Sequence, residues 1–313
     1  MRKNINTERI EGRLYQHSLE VKTVQNQASE NYGKEFIAGE IEIAVDEEGL
    51  NVIPVHFTYV TETTKSGNKN ATFANLKRII DEDKTWIKVG KDDALKIKVD
   101  TSIALNDFYT KDGELVSVKR NEGGFVTILN GELGVENERN TFSTDMVITS
   151  VNRIEANPDK NIKEDYVSVR GAIFNFRNDL LPVDFMVKNK EGMKYFESLE
   201  VSNADPIYTK VWGRINCGTI TTEVKEDSAF GESAVRTYER KIKEWVITGT
   251  AKVPYEFGDE KVLTADELTK AMQNRAVMLA ENKKRSEEYR NNANNSGNAI
   301  PSAPKTTVGT FNF

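Results

Sequence analysis

Ile53-Pro54-Val55-His56-Phe57 returns later in the chain as Leu181-Pro182-Val183-Asp184-Phe185. Apolar residues alternate with other residues in both copies, the period of a strand with one side on a core. The surroundings of the two copies match as well. Before them stand Gly39-Glu40-Ile41-Glu42-Ile43 and Gly171-Ala172-Ile173-Phe174. After them the spacing predicts helices over Ala71 to Ile80 and Glu191 to Leu199. Next come strands of period two, carried by Leu95, Ile97 and Val99 and by Ile207, Thr209 and Val211. Each series closes on an aromatic-led strand, Phe125-Val126-Thr127-Ile128 and Trp245-Val246-Ile247-Thr248. The opening strands fall at about Arg9 to Val24 and Thr141 to Asn157.

Three strands, a helix and two strands therefore occur twice, and a repeat of this kind sets the architecture before any other signal. The order is that of the five-stranded OB-fold. The expected fold is mainly β: two tandem OB-like five-stranded barrels over residues 1–135 and 136–260, a C-terminal helix over 261–290 and a flexible tail over 291–313. Thr264-Ala265-Asp266-Glu267 is a capping box that starts the helix, and Leu268, Ala271, Met272, Ala276 and Leu279 follow at helical spacing. The stretch Asn291 to Gly309 is too rich in Asn, Ser, Gly and Pro to bury a core of its own.

Several function classes are disfavoured. The chain has 313 residues and a formal net charge of -6, which argues against coating duplex DNA by bulk basicity but leaves room for a local basic face. One cysteine, Cys217, permits no internal disulfide, and with His17 and His56 it makes no conventional zinc site. No phosphate loop, HExxH or CxxC occurs. The expectation is a non-enzymatic protein of the cytoplasm, without cofactor, metal or membrane contact.

The informative stretch is the fourth strand of the second half. With Ile207, Thr209, Val211, Gly213 and Ile215 turned to the core, Tyr208, Lys210, Trp212 and Arg214 share the opposite face. Aromatic and basic side chains in alternation suit single-stranded nucleic acid: rings stack on unpaired bases and cations neutralise phosphates. The second strand places Tyr166, Arg170, Phe174 and Phe176 outward, with Arg177 at its end. The alternative is packing beneath a neighbouring domain or the C-terminal helix. For Trp212 the two readings stand level, and for Phe174 and Phe176 packing is preferred. The first half carries Glu40 and Glu42 on its second strand and Lys96, Lys98 and Asp100 on its fourth, so its share in binding is expected to be smaller.

The tandem order, the aromatic and basic face and a tail ending in Phe311-Asn312-Phe313 resemble single-stranded DNA-binding proteins. Val211-Trp212-Gly213-Arg214-Ile215, Ala229-Phe230-Gly231-Glu232 and Lys243 to Gly249 look like those encoded by phages and prophages of Gram-positive bacteria. The resemblance implies coating of exposed single strands in DNA replication or recombination, in the host cytoplasm if the chain is phage-encoded. It also implies that the tail recruits replication or recombination proteins, with Phe311 and Phe313 as docking residues. The family's tail is acidic before its last phenylalanine, whereas Lys305 to Thr310 contains no acid, a departure from the pattern that recruits those partners. The competing expectation is a structural or adaptor protein, such as one of a phage particle, whose barrels bind protein.

Overall fold

The computed structural model describes residues 4–64, 66–157, 162–226, 230, 234–256, 262 and 264–295. Six strands come from the first half: β1 (Asn6–His17), β2 (Glu20–Thr23), β3 (Glu35–Ala44), β4 (Val52–Thr61), β5 (Lys96–Tyr109) and β6 (Leu115–Leu129). The second half supplies β7 (Asn140–Ile154), β8 (Tyr166–Phe174), β9 (Leu180–Val187), β10 (Ile207–Glu226) and β11 (Ala234–Thr250). The helices are α1 (Ala71–Glu82), α2 (Trp86–Val89), α3 (Lys190–Glu197) and α4 (Ala265–Asn295).

Pairing closes each half into a ring. β1 pairs with β3 and β5, β3 with β4, β5 with β6, and β4 meets β6 in parallel at Val55–Asn121 and His56–Glu122. In the second half β7 pairs with β8 and β10, β8 with β9, β10 with β11, and β9 meets β11 in parallel at Met186–Val246. Pro54 and Pro182 sit on β4 and β9, whose ladders are long on one side only, so a residue lacking N–H is tolerated there. α1 and α3 follow these strands, capped by Asn70 and Asn189, whose side chains accept from the N–H of Thr72 and Gly192.

The rings are not separate bodies. The first strands of the two repeats, β1 and β7, pair antiparallel from Asn6–Thr144 to Ile10–Asn140, so one eleven-stranded sheet runs through both halves. A single apolar cluster spans the seam, from Ile10 and Val99 to Phe142, Val211 and Trp245. Buried polar groups cross it too. Glu8 on β1 accepts from Trp245 Nε1 on β11 at 2.9 Å and from the Thr101 hydroxyl at 2.7 Å. Burial pushes its carboxyl up to about 7 despite these two bonds. Lys119 on β6 reaches Asp184 Oδ1 at 3.0 Å and lies over the rings of Trp245 and Phe185.

Three expectations change. The first strand breaks at Ser18 because Gly39, at φ +136°, brings its backbone against Ser18 and Leu19, where a Cβ would lie 2.4 Å from the Ser18 carbonyl oxygen. The β5–β6 and β10–β11 hairpins run well past the apolar stretches that revealed them, each strand satisfying the other's backbone groups. The final helix begins on the expected box, with the Thr264 and Glu267 N–H groups bonded reciprocally, and continues to Asn295. It straps the halves together: Arg275 pairs with Asp107 at 3.0 Å and Arg290 donates to the Tyr109 and Thr110 carbonyls, all on the β5–β6 hairpin. No described helix is long and apolar enough to cross a membrane. Phe311 and Phe313 lie outside the described residues.

Candidate nucleic-acid interface

Trp212 is the outward residue of β10 at a bulge between Trp212 and Gly213, and it stands 40% exposed. Its indole rests on Gly249 of β11. A Cβ at Gly249 would fall 2.5 Å from Nε1 and 2.6 Å from Cε2, so only glycine leaves room for the ring. Core contacts hold the strand beneath: Val211 and Ile215 are fully buried and Thr209 nearly so.

Across the sheet Trp212 is registered with Ser143 on β7, and Ser143 with Thr7 on β1. One pair further, Arg214 faces Thr141, and Thr141 faces Arg9. Side chains opposite one another in antiparallel ladders lie on one side of the sheet. Trp212, Arg214, Arg9, Thr7 and Ser143 accordingly line a single open cleft of about 570 Å³ across the seam. Asn137 and Glu138, from the linker between the halves, wall it on one side, and Asp100 of β5 closes its far end.

The cleft is electrostatically graded. Arg9, Lys210 and Arg214 form no ion pair among the described residues, and Arg214 has only an Asn140 amide oxygen at 3.5 Å. Asp100 and Glu138 give the opposite sign toward the first half. The Trp212 end therefore offers an aromatic surface flanked by Lys210 and Arg214, while Arg9 stands opposite Asp100 and Lys210 opposite the buried Asp145 in the ladders.

Of the residues singled out from sequence, Trp212 and Arg214 meet in the cleft, with Lys210 on the same outward row and half-exposed. Tyr208 requires a correction as a binding residue, and Phe174 takes the preferred packing place beneath the C-terminal helix rather than a place at the site. Both point away from the ring core as the alternation demands, but both are buried, at 7% and 0% exposure, under Tyr255, Val262 and the first turns of α4. The chain leaving β11 folds back along β10, with Ala251 and Tyr255 N–H groups bonded to the Lys210 and Tyr208 carbonyls, and covers that end. Phe176 departs from the preferred packing reading. β8 ends at Phe174, and Phe176 sits in the following turn at 84% exposure with the Arg177 guanidinium 5.1 Å from its ring centre. Asn175 shapes that turn by accepting from the N–H groups of Arg177 and Asp179.

Tyr166 and Arg170 lie on β8, away from the cleft; burial raises the Tyr166 hydroxyl above its ordinary range, aided by Asp184 and Glu244. Lys96 pairs with Glu132 at 3.3 Å, and Lys98 is half-exposed between Glu11 and Thr127. Neither lysine lines the cleft. Sequence reasoning missed Arg9. Alternation with Glu8 and Ile10 does turn it outward, but its proximity to Trp212 depends on the β1–β7 pairing, which carries no local signature.

Among solved structures the chain is similar to a deletion mutant of the single-stranded DNA-binding protein from Thermus aquaticus, at 12% identity, covering 83% of this chain and all of that one with a TM-score of 0.46. It is also matched to a replication protein A heterotrimer bound to single-stranded DNA, at 8% identity, covering 88% of this chain and 70% of that one with a TM-score of 0.20. No curated protein matches it significantly. The YorF family model covers residues 5–286, which takes in every strand and most of α4, and the chain belongs to the YorF family.

Proposed function

We propose that this protein binds single-stranded DNA along the outer face of β10, with its two rings acting as tandem OB-like barrels. One observation carries the reading: an exposed Trp212 seated on a bare glycine, beside Lys210, Arg214 and Arg9, none of them spent on an ion pair among the described residues. A base stacks on the indole, and the cations take the flanking phosphates. Duplex DNA hides its base faces inside the helix, so the same groove is of little use to it. Coating and protecting strands exposed in replication or recombination is the corresponding task, and the protein does no chemistry on them.

A second reading, an adaptor that binds protein here, draws on Asp100 and Glu138 at the far end of the cleft. Anisotropy of labelled oligo-dT, duplex DNA and RNA at several salt concentrations separates the two. Tighter binding of the single strand, weakening as salt rises and counterions cease to drive association, is expected. Equal affinity for duplex and single strand sinks the proposal, and absence of nucleic-acid binding favours the adaptor.

A further inference from the structure

A second, smaller hollow of about 280 Å³ lies on the other side of Gly249, between β11 and α3. Thr248 lines both hollows, and Gly249, the seat of Trp212, forms part of the second one's wall. At the far rim stands Tyr195 of α3, 37% exposed, its ring held edge-on against the buried Phe196 at 5.2 Å. Lys190 and Lys194 are exposed on the same helix, and neither has an ion-pair partner among the described residues. Glu191 is the one acid lining this hollow.

We infer that the two hollows are one track, in which a single strand stacked on Trp212 continues past Thr248 to a second stacking surface on Tyr195. This rests on the single-strand reading and extends it. Gly249 lets the Trp212 indole lie flat against β11, and the exposed Thr248 beside it lines both hollows. Lys190 and Lys194 supply phosphate contacts on the α3 side as Lys210, Arg214 and Arg9 do on the other. Tyr195 is held from behind by Phe196, so stacking on it costs little ordering. The occupant is the next stretch of the same strand, because Thr248 borders both hollows and each side sets an exposed aromatic near cations without an ion-pair partner among the described residues.

The experiment is anisotropy with oligo-dT graded from about 4 to about 16 nucleotides, the span of one OB-type site. Wild type, Trp212→Ala, Tyr195→Ala and Tyr195→Phe are compared, each with a melting curve. Trp212→Ala is expected to weaken every length. Tyr195→Ala is expected to weaken only the longer oligonucleotides, by about tenfold, while Tyr195→Phe keeps wild-type affinity. Lys190→Gln and Lys194→Gln should each lower the slope of log K against log salt by about 0.7, the value for one phosphate contact on a single strand. If Tyr195→Ala matches wild type at every length while Trp212→Ala loses affinity, the track is overturned and the single-strand reading stands. Equal loss at all lengths with early melting also overturns it, since Tyr195 is then only packing. If wild type fails to bind oligo-dT, both fall together.

Discussion

The two halves share a strand circuit and differ in what they show to solvent. On β5 the outward row runs Lys96, Lys98, Asp100, with Lys96 tied to Glu132 and Asp100 registered beside an exposed Phe125 on β6. On β10 the row runs Lys210, Trp212, Arg214, with no ion pair among these described side chains and a glycine where Trp212 needs space. The first half thus sets its aromatic next to an acid, and the second sets its aromatic among cations. The proposed single-strand binding rests on that difference in charge beside an exposed ring, since the strand circuit is common to both halves.

The largest expected effect concerns the joint that makes the comparison possible. Glu8 of the first half is buried against Trp245 of the second, with a carboxyl at about 7 where the exposed group has 4.5. The folded protein keeps a proton that the unfolded chain releases between those values. This group's contribution to stability is therefore complete below about pH 4.5, declines as pH rises, and is lost above about pH 7, by up to about 3 kcal/mol. Urea unfolding at about pH 5 and about pH 8 should show that decline in wild type and a flatter profile in Glu8→Gln. An unchanged profile would mean that the seam does not hold this carboxyl dry.

Trp212→Ala should cost about 1–3 kcal/mol of oligo-dT affinity with little change in melting temperature. If the variant melts early and binds as well per folded molecule, Trp212 is a packing residue and the contrast between the halves loses its meaning. Gly249→Ala leaves every polar group in place but pushes a methyl into the indole, so affinity should fall by about threefold, less than on removing the ring. Phe125→Ala should change affinity by less than about twofold, because Asp100 beside it repels phosphate. A loss as large as that of Trp212→Ala would place both halves on the DNA.

Much of the fold follows from local pattern. The proline-centred strand motif, the caps at Asn70 and Thr264 and the alternation through Val211 and Ile215 each state their own structure. Cys217 is buried in the core, as its inward place on β10 implies. The site is less readable because it depends on what covers what. Tyr208 and Trp212 are four residues apart on one face and read alike, yet returning chain and α4 hide the first and leave the second open. The pairing of β1 with β7, which brings Arg9 to Arg214, joins residues more than a hundred positions apart. Tyr195 sits on a short helix whose sequence says only that Met193 and Phe196 face inward.

The seam between β1 and β7 has one further consequence. Two identical subunits joined by such a pairing would separate on dilution, and every substitution would be present twice. Here one chain carries both sides, so the joint closes by intramolecular encounter at an effective concentration set by the linker through Glu136–Glu138. Its melting temperature should not vary with protein concentration as a separable dimer's would. Each side is also free to change without its mate, the condition under which one ring can set an acid beside its exposed aromatic while the other sets cations there.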